Sequence, residues 1–126
     1  CMFWGSKATS IDLSSFDTSN VVNMSEMFAY SQATELDLSS FDTSNVTDMG
    51  WMFSGAEALE KIYVSDKFKT DNVIYSGFML DKNPKLVGGN GTAYSDSNPT
   101  DKTYARIDGV GGLPGYFTDI KDKPTS

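Results

Sequence analysis

The chain of 126 residues contains no histidine, one cysteine and only ten Lys and Arg against seventeen Asp and Glu. Without an imidazole there is no Ser-His-Asp or Cys-His nucleophile, no His-containing zinc site and no histidine acid/base. With Cys1 alone there is no internal disulfide. The scarcity of cations, in a chain of net charge −7, argues against nucleic acid, which is held by clustered Lys and Arg. It argues equally against anionic lipid surfaces. No apolar run approaches the ~18 residues that a membrane-spanning helix needs.

What the chain does contain is a repeat. Residues 11–35 (IDLSSFDTSNVVNMSEMFAYSQATE) and 36–60 (LDLSSFDTSNVTDMGWMFSGAEALE) are identical at 15 of 25 positions without a gap. Shifting back by the same period places Met2-Phe3 on Met27-Phe28 and Met52-Phe53. The chain is therefore read as beginning inside a copy, with Cys1 at the place of Glu26 and Trp51. A degenerate copy follows over 61–86, with Ile62 to Ser65 on Leu36 to Ser39 and one extra residue near Lys67. The expected organisation is a repeat region at 1–86, a C-terminal cap at 87–118 and the start of a linker at 119–126.

Each copy has a legible pattern. Leu36 and Leu38 alternate with polar residues, as do Ile11 and Leu13 or Ile62 and Val64, which predicts a short half-buried strand. Phe16, Phe41 and Phe68 follow as single inward anchors. Asp-Thr-Ser-Asn is turn chemistry, and Val46, Met49, Met52 and Phe53 at i, i+3, i+6 and i+7 predict a two-turn helix with one apolar face. Asn45 or Ser44 is the expected cap of that helix, with Asp48 near its positive end. Such a helix is too short to stand alone and predicts stacking of copies into a solenoid. The glycine-rich 87–118 region predicts short strands closing the stack.

The string LDLSSFDTSNVTDM followed by a Met-Phe pair resembles the BspA-like leucine-rich-repeat surface proteins of host-associated bacteria, and LVGGNGTAY, TYARID and PGYFT resemble the tail that ends such arrays. The similarity runs over roughly residues 1–118. It implies an α/β fold, a right-handed leucine-rich-repeat-like solenoid with one short parallel strand and one short helix per copy and a small β cap. It also implies secretion, cell-wall attachment through segments outside this chain, and an adhesin role in some members. The cysteine usual in such repeats is replaced by Ser6, Ser31 and Ala56, and the following leucine returns only at Leu59. The resemblance carries over no catalytic residue.

Two sets of residues are candidate binding positions. The outward strand positions form a polar ladder that includes Asp12, Asp37 and Tyr63, and solenoid sheet faces of this kind engage partners; the alternative is a solvated face. Aromatics also vary at fixed repeat positions: Trp51 stands where the preceding copy has Glu26, Trp4 where later copies have Ala29 and Ser54, and Tyr30 where neighbours have Gly5 and Gly55. Such side chains stack on sugar rings or protein partners, or pack between neighbouring copies. An Asp12–Asp37 pair across adjacent strands would stand about 4.7–4.9 Å apart, near the separation used by retaining glycosidases, but on an exposed ladder without a cleft. No calcium-loop or phosphate-loop motif occurs. The expectation is a non-catalytic adhesin-type module without cofactor or metal, recognising a host or microbial surface protein or glycan; the alternative is a structural spacer. Self-association through the first repeat edge, where apolar groups lack a neighbour, is also expected.

Overall fold

In the computed structural model, residues 5–9, 11, 13 and 15–123 are described. Among the described residues, three short strands make one parallel sheet: β1 (Glu35–Leu38), β2 (Lys61–Val64) and β3 (Thr118–Asp119), in the order β1-β2-β3. β1 and β2 pair with Glu35 opposite Lys61, Leu36 opposite Ile62, Asp37 opposite Tyr63 and Leu38 opposite Val64. β3 comes from the far end of the chain and pairs Thr118 with Tyr63 and Asp119 with Val64. The alternation of β1 follows from its pleat, which turns Leu36 and Leu38 into the core and leaves Glu35 exposed.

The expectation of an α/β leucine-rich-repeat-like solenoid with a strand and a helix in every copy is overturned. Among the described residues there is no α-helix; helical structure is confined to three-residue 3-10 turns at Lys102–Tyr104, Val110–Gly112 and Ile120–Asp122. Most of the chain is turn and coil around the small sheet. The segments expected to be helical are tight turns whose third residue has a left-handed backbone. Met27 N–H bonds to Met24 C=O with Glu26 at φ 58°, and Ser31 N–H to Phe28 C=O with Tyr30 at φ 59°. The next copy repeats this with Trp51 (φ 59°) and Gly55 (φ 70°), and the third with Phe78 and Lys82. A positive φ every four residues cannot belong to a right-handed helix.

The amides released from helical bonding go to the adjacent copy. Glu26, Phe28 and Tyr30 donate to the carbonyls of Gly50, Met52 and Ser54 at 2.8–3.0 Å, and Trp51, Phe53 and Gly55 donate to Gly77, Met79 and Asp81 at 2.8–2.9 Å. The expected helix caps likewise serve the neighbouring copy. Asn45 Nδ2 donates to Ser19 C=O at 2.8 Å and Asn72 Nδ2 to Ser44 C=O at 2.6 Å, while Asp48 accepts from its own Gly50 N–H. The apolar spacing that imitates a helix face still points inward, because these turns bury Met49, Met52 and Phe53 completely.

The core runs along the copies as a file of rings. Phe28 and Phe53 stack at 5.7 Å with planes 6° apart, and Phe117 closes against both Phe53 and Phe68 edge-on. Phe41 is fully buried, whereas Phe16 and Phe68 are partly buried against the same cluster. The expected cap of short strands at 87–118 is also corrected: only its last residue, Thr118, enters the sheet, at the start of β3, and the rest carries two 3-10 turns and isolated bridges, Val87 with Ala93 and Ile107 with Phe117. These residues are organised by Asp108, whose carboxylate accepts from Asn90 N–H, Thr92 N–H and hydroxyl, and Gly115 N–H at 2.8–3.1 Å.

Candidate functional site

The turns set side chains at their left-handed positions into two columns along one edge. One holds Glu26, Trp51 and Phe78; the other holds Gly5, Tyr30, Gly55 and Lys82. A left-handed backbone costs a residue with a side chain about 1–2 kcal/mol, and glycine bears none of that cost. Large aromatics nevertheless occupy these positions and stay in water: Trp51 is 38% exposed, Phe78 49% and Tyr30 51%. Trp51 and Phe78 lie against one another with ring centres 4.6 Å apart and planes tilted by 31°. The Tyr30 ring lies over Gly55, where an added Cβ would come within 2.7 Å of it. Tyr75 covers Gly50 and Gly77 in the same manner, again half in solvent. Gly55 and Gly50 of the adjacent copy thus leave room for the Tyr30 and Tyr75 rings that a side chain there would take.

Between the columns is an open groove of about 340 Å³ lined by Glu26, Ala29, Tyr30 and Trp51. Two aromatic walls with a carboxylate beside them can stack on a flat or cationic group and accept hydrogen bonds from it. Of the residues singled out from sequence, Tyr30 and Trp51 are therefore brought together. Asp37 and Tyr63 are also adjacent, as register partners in the sheet, but neither lines the groove. Trp4 and Asp12 lie outside the described residues.

The sheet face differs from the open ladder expected. Tyr63 is only 3% exposed, because β3 pairs alongside it and Lys123 places its Nζ 5.5 Å from the ring centre. The same ammonium stands 3.8 Å from the Asp37 carboxylate. Burial first, and then the charge and hydrogen bond of Glu35 with help from Asp37, raise the Tyr63 phenol above its ordinary pKa. At the strand-to-turn junction, Asp17 and Asp42 are held below the usual aspartate range by hydrogen bonds from the hydroxyls and amides of Ser19 and Ser44, so both are firmly ionised. Among the described residues no group of three or more acidic or thiol side chains is placed to hold a metal ion, and no helix is long and apolar enough to cross a membrane.

Residues 1–94 match a family described as Mycoplasma protein of unknown function, DUF285. The chain belongs to that family. DUF285 is a BspA-like surface repeat family, which agrees with the resemblance carried by LDLSSFDTSNVTDM at the level of the repeat. No curated protein and no solved structure matches the chain. The DUF285 match takes in every groove residue and ends before Asp108 itself, though it includes Asn90 and Thr92, which bond to its carboxylate.

Phe78, Tyr75 and Glu26 were not singled out from sequence. Phe78 was legible there: once the extra residue near Lys67 is counted, it is the counterpart of Trp51 at an offset of 27. Charge distribution was a second legible signal. Residues 8–60 contain nine acids and no Lys or Arg, whereas the rest of the chain has ten cations and eight acids.

Proposed function

We propose that this DUF285 chain is a non-catalytic binding module of a secreted, cell-surface protein, attached to the cell wall through segments outside it, and that it engages its ligand along the aromatic edge. The observation that carries this reading is the retention of Tyr30, Trp51 and Phe78 as half-exposed side chains at strained backbone positions where glycine would be more favourable. A side chain that neither fills the core nor suits its backbone is better explained by what it meets outside the molecule. The groove beside Glu26 gives that contact a shape.

The test is a binding screen of the chain against soluble glycans and extracellular-matrix proteins, beside a Tyr30→Gly/Phe78→Gly double variant. Glycine relieves the left-handed strain at both positions, offsetting the packing lost. The thermal midpoint is therefore expected to stay within about 6 °C of the parent, equivalent to about 1 kcal/mol. Saturable binding by the parent and its loss in the folded double variant is the expected result. Binding that persists unchanged would move the site off this edge. Silence from both folded proteins would favour the spacer role, which the continuous hydrogen bonding between copies also suits.

A further inference from the structure

We infer that the groove between Tyr30 and Trp51 receives a lysine or arginine side chain of a basic protein partner. This rests on the reading of the aromatic edge as a binding surface and names what it takes. The groove lies wholly in the part of the chain that has nine acids and no cation. Among the described residues its lining has one carboxylate, Glu26, two aromatic faces and no basic group. Ring faces carry negative electrostatic potential and attract cations, tryptophan most strongly, so rings and carboxylate favour the same occupant. A neutral sugar would use the rings but leave the charge of Glu26 and of the surrounding stretch without a counterpart.

The molecule contains the same recognition in miniature. On the sheet face, Lys123 sits over the Tyr63 ring and beside the Asp37 carboxylate, 5.5 Å from the ring centre and 3.8 Å from the nearer oxygen. A carboxylate next to an aromatic ring is thus already a lysine seat in this fold. The groove offers the same pair of groups, Glu26 with Trp51 and Tyr30, open to solvent. The chain also marks where the seat ends. Lys82 occupies the left-handed column of Tyr30 and Gly55 one copy beyond Gly55, so a basic partner is attracted at the Tyr30 end and repelled at the Lys82 end.

The experiment titrates the intact chain with a fluorescein-labelled peptide of alternating Lys and Gly. A Glu-Gly peptide of equal length and a neutral chito-oligosaccharide serve as comparisons, all at low ionic strength. The Lys-Gly peptide is expected to bind saturably and the other two not to bind. Glu26→Gln and Tyr30→Gly are each expected to weaken it about two- to fivefold. Glu60→Gln makes the same charge change in the same acidic stretch but outside the groove, and is expected to leave affinity within about 1.5-fold. Equal weakening by Glu26→Gln and Glu60→Gln would overturn the proposal in favour of diffuse charge attraction. Binding of the chito-oligosaccharide without the Lys-Gly peptide would overturn the cationic occupant and leave the aromatic edge standing as a glycan site. Failure of all three ligands, together with silence in the wider screen, would overturn both.

Discussion

Tyr30, Trp51 and Phe78 each hold a backbone angle that L-residues with bulky side chains avoid, and each keeps a ring in water. Asp108 shows the opposite economy at the same scale: a single carboxylate, largely buried, gathers four donors from two separate loop segments. Burial alone would push its pKa up, but the hydrogen bonds from Thr92, Gly115 and Asn90 outweigh it and the net shift is downward. A carboxyl whose folded pKa is depressed contributes stability that is fully present above its unfolded pKa and is lost as pH falls through the folded value. Asp108→Asn replaces an acceptor with an NH₂ group facing N–H donors and is expected to cost about 2–3 kcal/mol at neutral pH. Chemical unfolding from pH 7 down through the acidic range checks both parts: the variant should be less stable at pH 7, and the gap should close toward acid.

At the scale of the element, the Asp-Thr-Ser-Asn segment stitches copies together instead of starting a helix. Thr43, almost fully buried, donates its hydroxyl to Lys69 C=O at 2.7 Å and accepts from Lys69 N–H, and Thr18 makes the equivalent pair of bonds with Asp42. The methyl group of threonine and its shape survive in valine, so Thr43→Val isolates the hydroxyl. It is expected to cost about 1–3 kcal/mol, because a donor and an acceptor of the neighbouring copy lose their partner. Urea denaturation checks this, with Ser15→Ala as a surface comparison expected to fall within about 0.5 kcal/mol. The strands of the second and third copies were legible because alternation has only one reading at such short length. The turns were not: i, i+3, i+7 apolar spacing fits an α-helix and also fits successive tight turns. The choice between them depends on whether a neighbouring carbonyl is present to take each amide.

Over the whole molecule, charge is divided unevenly. The acidic stretch of residues 8–60 joins a remainder that is slightly basic, and Lys123 returns from the far end to Asp37 on the sheet. Self-repulsion within the acidic part opposes compaction, and at the ionic strengths of ordinary buffers it is only partly screened. Raising NaCl from about 0.01 M to about 0.15 M shortens the screening length from about 30 Å to about 8 Å. The thermal midpoint is therefore expected to rise, and a scan at the two salt concentrations checks it. A fall would show that attractive pairs such as Lys123 with Asp37 outweigh the repulsion.

The sequence by itself determined the period, the inward positions and the family: LDLSSFDTSNVTDM states the repeat, and Leu36, Leu38, Met49, Met52 and Phe53 are buried as their spacing requires. It also contained the aromatic variation at positions 26, 51 and 78 and the absence of cations across two copies. Tertiary structure alone decided the backbone of the turns, because left-handed conformations at residues 26, 30 and 51 are sustained by hydrogen bonds to residues about 25 positions away. It alone decided which candidates stay open. Tyr63 is covered because a strand and a lysine from the chain's other end fold onto it, while Tyr30 and Trp51, from neighbouring copies, line one groove and stay partly exposed.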